Sequence, residues 1–314
     1  MIATLAGGVG GAKLAHGLAG CLAPEDLSVV VNTADDFEIY GLRVCPDLDT
    51  VMYTLAGIAN PATGWGVAGD SFFALEMLRA YGEDTWFQIG DKDFATDILR
   101  TRMLAEGHTL TEATRALCVG VGVAPALLPM CDQPVATMIQ TVDGELDFQE
   151  YFVRQHHEPT VTDVRYRDIE AARPTKPVLA ALAAAEAIVF CPSNPIVSIR
   201  PILAVPGMLD ALRASAAPKV AVSPIVAGSA LRGPADRMLE SLGHEVSAHG
   251  IAELYAGLVQ GLVIDEADAA LAAPIRSLGM EVLVTPTVMR NDADRQTLAG
   301  AVLGFAASLR ENAR

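Results

Sequence analysis

Ile2-Ala3-Thr4-Leu5-Ala6-Gly7-Gly8-Val9-Gly10-Gly11-Ala12-Lys13 stands at the start of the chain, and Leu14, Leu18 and Leu22 continue it at helical spacing. An apolar run of strand length, a glycine-rich turn and a helix in that order aim backbone N–H groups and a helix N-terminus at an anion, usually a phosphate. Glycine lets a backbone come close to a ligand without Cβ clashes, and Lys13 sets a cation near the same oxygens. A Walker A loop would end Gly-Lys-Ser/Thr, whereas this one reads Ala12-Lys13-Leu14. A dinucleotide fingerprint would carry its third glycine where Lys13 stands. A signal peptide is not expected either, because no basic segment leads the apolar stretch and Lys13 interrupts it.

The same grammar recurs along the chain. Leu27–Val31 is a second apolar run, ending in Asn32-Thr33-Ala34-Asp35-Asp36. Ala187–Phe190 ends in Cys191-Pro192-Ser193-Asn194-Pro195, and Lys219–Val222 ends in Ser223-Pro224. Residues 262–265 and 282–285 repeat the pattern. Strand, polar loop, helix, repeated, predicts an α/β fold with a Rossmann-like, doubly wound and mostly parallel sheet. In such sheets ligands gather beyond the carboxyl ends of the strands, which sets the Asn32–Asp36 cluster beside the glycine turn.

Between the two halves the texture changes. Helices are expected at 73–81 and 94–103, and Thr109-Leu110-Thr111-Glu112 has the form of a capping box. Asp143-Gly144, flanked by β-rich residues 135–141 and 145–154, signals a hairpin, with 151–166 prolonging an antiparallel element. The chain therefore divides into a nucleotide-binding core, 1–39 and 173–314, and an inserted helical and hairpin region, 40–172, that covers the site.

Composition excludes several classes of partner. Apolar residues make up 51% of the 314 and the mean hydropathy is +0.33, yet no run reaches the ~18 apolar residues a membrane span needs. A net charge of −16 without a basic run excludes nucleic acid. Five widely spaced cysteines, odd in number and never in C-x-x-C, fit reduced thiols in a cytoplasm. The histidines offer no ligand spacing.

Acidic residues carry the remaining signal. Asp35, Asp36, Asp47 and Asp49 fall within fifteen residues, the last two just ahead of an apolar run, 51–58, of helical character. Either alone reads equally as a helix N-cap. Grouped near a phosphate cradle, they supply the hard oxygen ligands that Mg²⁺ takes beside phosphate oxygens. Asp36, Asp47 and Asp49 are expected to hold a metal or to position a nucleophile. An acid after the second strand also grips ribose in dinucleotide enzymes, which keeps an oxidoreductase among the alternatives. Trp65, in a Pro/Gly-rich loop, is suited to stack on a planar ligand.

With these motifs in order, the chain resembles the 2-phospho-L-lactate transferase (CofD-like) family of coenzyme F420 biosynthesis. The matching stretches are GGVGGAKL at 7–14, VNTADD at 31–36, CPDLDTVMYTLAG at 45–57, GDSF at 69–72, LPMCD at 128–132, CPSNP at 191–195 and SPIVAG at 223–228. The resemblance implies transfer of a phospho-carboxylic acid (phospholactyl, phosphoenolpyruvyl or phosphoglyceryl) from a guanosine diphosphate-linked donor. The acceptor would be the ribityl hydroxyl of 7,8-didemethyl-8-hydroxy-5-deazariboflavin (Fo), with GMP released and Mg²⁺ required. It assigns Gly8, Gly10, Gly11 and Lys13 to the phosphate loop, with Asn32 beside it, and Ser193, Asn194 and Pro195 to the nucleotide side. Asp36, Asp47 and Asp49 become the catalytic acids, with Asp36 and Asp49 on the metal, and a cytoplasmic homodimer is implied. The competing reading is a UDP-sugar-binding regulator of the same fold. It would carry a glycine/serine-rich stretch after the paired aspartates, where this chain has Phe37-Glu38-Ile39-Tyr40, and a PPGD-type segment where it has Pro46-Asp47-Leu48-Asp49.

Overall fold

The computed structural model describes residues 1–312. Strand β1 (Ile2–Ala6) leads into helix α1 (Gly8–Ala19), and β2 (Leu27–Val31) follows. A small hairpin, β3 (Phe37–Ile39) and β4 (Leu42–Val44), precedes helices α2 (Pro46–Leu55), α3 (Phe73–Ala80), α4 (Asp91–Ala105) and α5 (Leu110–Gly120). Next come β5 (Ala126–Pro129) and an antiparallel unit of β6 (Ala136–Thr141), β7 (Gly144–Asp147) and β8 (Val161–Arg167). The second half alternates helices with β9 (Ala187–Phe190), β10 (Lys219–Val222), the short pair β11 (Ile225–Val226) and β12 (Ser229–Ala230), β13 (Gly261–Ile264) and β14 (Glu281–Val284). A final helix spans Asp292–Asn312.

Seven strands form one sheet in the order β14-β13-β10-β9-β1-β2-β5, every neighbouring pair parallel. The strands of a parallel sheet are covered on both faces, so their sequences run apolar without alternation; Leu27, Val29, Val30 and Val31 are all fully buried. From β1 the chain builds outward through β2 to β5, then returns to the other side of β1 for β9 and the rest. The order thus reverses between β1 and β9, which run in register from Ile2↔Ala187 to Leu5↔Phe190. The carboxyl ends of these two strands flank the crevice where doubly wound sheets bind their ligands.

Several expectations change in detail. The glycine stretch is less a turn than the first turn of α1: Gly7, extended, is the N-cap, and only Gly8 is left-handed, with φ +59°. The stretch 40–172 is not wholly outside the sheet, because β5 returns from within it to pair with β2 as an edge strand. The hairpin turns at Asp143-Gly144, but its second arm ends at Asp147 and a single wide helical turn, Glu150–Arg154, follows. Helix α2 begins at Pro46, five residues earlier than the apolar run suggests, with Cys45 as N-cap, so neither Asp47 nor Asp49 is the cap. The Thr109 capping box forms with both of its hydrogen bonds. All five cysteines are unpaired. Among the described residues no single helix is long and apolar enough to cross a membrane; one bent pair, Pro195–Ala204 with Met208–Ala214, passes by length and composition, and Ile202, Met208 and Leu212 within it are fully buried in the core.

Helix α1 packs against the last helix through Gly17, where an added Cβ would overlap the Arg295 carbonyl oxygen. Replacing glycine by alanine inside a helix ordinarily stabilises by ~1 kcal/mol. Gly17→Ala is expected to do the reverse, losing about 1–3 kcal/mol to overpacking. Urea denaturation of the variant reads the sign directly, and a gain in stability would show that the two helices do not meet as described.

Candidate active site

The site is built where the turn after β1 meets the turns after β2 and β9. Gly7 N–H donates to Ser193 Oγ at 3.1 Å, and that hydroxyl donates to Gly7 O at 2.8 Å, locking the two turns together. The glycines serve this contact. A Cβ on Gly10 would overlap the Pro192 carbonyl oxygen, one on Gly11 would lie 2.5 Å from Ser193 Oγ, and one on Gly7 would lie 2.5 Å from Asp47 Oδ2. They accommodate neighbouring protein, and Val9 and Gly10 in the first turn still line a cavity of about 610 Å³. First-turn N–H groups have no partner inside their own helix.

Asp47, in the first turn of α2, reaches this helix terminus. Gly8 N–H donates to its Oδ1 at 2.7 Å and Asn32 Nδ2 to its Oδ2 at 3.0 Å. Asn32 is held in turn, donating to Val197 O at 3.2 Å and accepting from Ala34 N–H at 3.0 Å. Burial pushes the Asp47 carboxyl up to about 6, against the opposing pull of those two donors. Asp35 lines the same cavity. Its Oδ1 accepts from Thr137 Oγ1 at 3.0 Å, and burial first, then the neighbouring Asp47 charge, raise its carboxyl well above the usual range. Neither Asp35 nor Asp47 is ion-paired among the described residues. Two buried carboxylates on one cavity, neither paired with the cations that also line it, fit the oxygen-donor set of a divalent ion.

The other acids are turned elsewhere. Asp36 lines a second cavity, of about 400 Å³, with Phe37, Arg43 and Trp86. Arg43 pairs with its Oδ2 at 3.3 Å while its Oδ1 is buried with no partner. Burial pushes this carboxyl up to about 7, and the Arg43 guanidinium tempers the rise. Asp49 faces Arg100, a fully buried guanidinium that also pairs with Asp97 at 2.7 Å and donates to Arg43 O at 3.2 Å. The expected grouping of Asp36, Asp47 and Asp49 around the glycine segment is therefore corrected. Asp47 is there, Asp36 faces the adjoining cavity, and Asp49 belongs to a buried ion-pair cluster. The acid at the glycine helix that sequence reasoning passed over is Asp35. Its signal was the consecutive pair Asp35-Asp36, whose members beyond a strand end point to different sides.

The remaining expected residues divide similarly. Gly8, Gly10, Lys13, Ser193 and Asn194 border the larger cavity. Gly11 and Asn32 stand behind it as packing and positioning groups. Asn194 caps the turn that follows, accepting from Ile196 N–H at 2.9 Å, and Pro195 is buried in that turn. Lys13 Nζ donates to Met289 O at 3.0 Å. Trp65 is on the cavity rim, partly exposed. The arrangement offers amide donors and cations to a phosphorylated ligand and two carboxylates to a cation beside it, with an acid of raised proton affinity facing an aromatic-lined space next door.

The sequence profile of the family described as 2-phospho-L-lactate transferase CofD matches residues 2–287. A phosphoenolpyruvate transferase of Streptomyces coelicolor is 42% identical, covering 99% of both chains. One of Kitasatospora aureofaciens is 40% identical over 98% of both. A 2-phospho-L-lactate transferase of Methanothermobacter thermautotrophicus is 40% identical over 97% of both. In structure, a UPF0052 family protein from Bacillus halodurans superposes with a TM-score of 0.62 over 96% of this chain and 98% of its own, at 16% identity, and so shares the fold.

The ion-pair cluster yields a prediction of its own. Removing one partner of a buried pair leaves an uncompensated charge and costs about 3–5 kcal/mol. Arg100→Met strands both Asp49 and Asp97 and is expected to fall in that range by denaturant unfolding. A loss below ~1 kcal/mol would mean that Arg100 is not the counter-charge of these acids.

Proposed function

The chain belongs to the 2-phospho-L-lactate transferase CofD family, and on that premise we propose that it forms the phosphodiester of a coenzyme F420 precursor. The donor is a guanosine diphosphate-linked phospho-carboxylic acid: phosphoenolpyruvyl, phospholactyl or phosphoglyceryl. The acceptor is the ribityl hydroxyl of Fo. The observation that carries this reading is the placement of Asp35 and Asp36. Consecutive residues, with Cα atoms ~3.8 Å apart, border two different cavities, one beside the glycine helix and one walled by Phe37, Trp86 and Arg43. A group-transfer enzyme needs two substrate spaces meeting at one point, and an aromatic-walled space suits a planar tricyclic acceptor.

The hydroxyl oxygen attacks the phosphorus that bears the acid. A P–O bond forms, the phosphoanhydride P–O bond breaks, and GMP leaves with its electron pair. The hydroxyl proton goes to the Asp36 carboxylate, whose proton affinity near neutrality suits a general base. Transfer of this kind is governed by positioning and by neutralising charge on the phosphoryl oxygens. The amides of Val9 and Gly10 and the Lys13 ammonium bind and orient the diphosphate. Asp35 and Asp47 would hold Mg²⁺, which commonly takes one or two carboxylates and completes its shell with phosphate oxygens and water; bound there it would supply further charge neutralisation. Asp36 and Asp49, both turned toward guanidinium groups, do not serve as the metal pair.

The test is product formation. Purified protein with Mg²⁺, Fo and each of the three guanosine donors, followed by mass spectrometry, is expected to yield the phosphodiester product with at least one donor. Absence of product with all three would overturn the reading. Asp36→Asn is expected to lower turnover by about 10²–10⁴-fold, and Asp35→Asn and Asp47→Asn to raise the Mg²⁺ concentration needed for half-maximal rate. Variants with wild-type turnover and wild-type Mg²⁺ dependence would remove these residues from the chemistry.

A further inference from the structure

In a chain of net charge −16, Lys13, Arg232 and Arg290 all border the cavity beside α1. None of the three forms an ion pair among the described residues, whereas Arg295 behind them is committed to Asp292 at 3.0 Å. Lys13 is held below the usual lysine range by burial and then by the Arg232 and Arg295 charges. Asp35 and Asp47 line the same cavity but pair with none of them, so cations held together against their mutual repulsion are left for an anion.

Arg232 is distinctive because it arrives from a loop. Residues 227–234 take in β12 and lead into the helix Ala235–Ser241, and the guanidinium crosses to the Trp65 loop, donating to the Thr63 carbonyl. Gly64, left-handed at φ +80°, makes room for it: a Cβ there would lie 2.6 Å from Arg232 Nη1 and 3.1 Å from Val9 Cγ1. The guanidinium and Val9, in the first turn of α1, therefore both flank Gly64, and the guanidinium has a neutral carbonyl as its hydrogen-bonded acceptor. A phosphate oxygen is the stronger partner, because a charge-assisted, bidentate bond to a guanidinium outweighs one to a neutral acceptor.

We propose that Arg232 is a diphosphate-binding residue of the donor site, carried over the first turn of α1 by the 227–234 loop, where it and Lys13 grip the diphosphate from two sides. This rests on the donor-site reading above and adds to it a residue from a separate loop. The experiment measures binding of inorganic pyrophosphate, GDP and guanosine to the wild-type protein, Arg232→Gln and Arg232→Lys by calorimetry, with thermal melts to establish that the variants fold. Arg232→Gln is expected to weaken pyrophosphate and GDP by about tenfold while guanosine changes by less than twofold, and Arg232→Lys is expected to recover part of the loss. A change below threefold for pyrophosphate and GDP, or an equal loss for guanosine, would overturn the assignment. Failure of the wild-type protein to bind either pyrophosphate or GDP would instead overturn the donor-site reading itself.

Discussion

The structure depends on how closely the first turn of α1 is approached by other parts of the chain. Asp47 takes the Gly8 amide from one side, and Pro192 and Ser193 press on Gly10 and Gly11 from another. A carboxylate at a helix N-terminus stabilises by about 0.3–1 kcal/mol at the surface and up to ~2 kcal/mol when partly buried. Here the same contact also fixes α2 against α1 and sets the Asp47 carboxylate at the mouth of the larger cavity. Side chains at these glycine positions would push the three segments apart. The glycine motif is thus first a device for bringing protein to protein.

Burying carboxylates is costly unless each is paired, hydrogen-bonded or protonated, and this chain solves the problem in two ways. Asp49 and Asp97 share Arg100, and Asp36 meets Arg43, so these acids are balanced within the protein. Asp35 and Asp47 are given hydrogen-bond donors but no ion pair, and burial raises their proton affinities as it raises that of the paired Asp36. Asp35, Asp36, Asp47 and Asp49, divided between the two solutions, lie within fifteen residues of sequence. Arg100 separates them by reaching 51 positions back to Asp49. That long reach connects α4 to α2 and, through the Arg43 carbonyl, to the hairpin behind the second cavity.

Such reach explains what the sequence discloses and what it hides. Ile2–Ala6, Leu27–Val31, Ala187–Phe190 and Lys219–Val222 are legible because a strand buried on both faces needs an unbroken apolar run, and a polar or proline-containing loop must end it. Ala126–Pro129 is not, since four residues ending in proline satisfy an edge position as readily as a loop. The acidic cluster is legible as a cluster, but the direction of each member is not. Period-two alternation governs side chains only inside a strand, and Asp35 and Asp36 lie beyond the end of β2. Asp49 looks equivalent to Asp47 until Arg100, a residue on another helix, claims it. Arg232 is a lone cation in a glycine- and proline-rich loop, and only its meeting with Gly64 and Val9 gives it meaning.

What the sheet supplies, then, is a divider. The end of β2 carries two acids that face opposite spaces, and it is held by register on both sides, to β1 from Ile2↔Leu27 to Ala6↔Val31 and to β5 from Ser28↔Ala126 to Val31↔Pro129. Two spaces that meet at the edge of a rigid sheet can hold two groups in a fixed mutual orientation, and orientation alone can lower a barrier by about 7–11 kcal/mol. The walls are built differently. The 60–67 loop and the 227–234 loop meet through Arg232 and Thr63, a contact between exposed groups. Ligands differing by a methyl or a double bond are separated by only ~1–3 kcal/mol of contact energy, a difference that one rim contact of this kind is enough to supply.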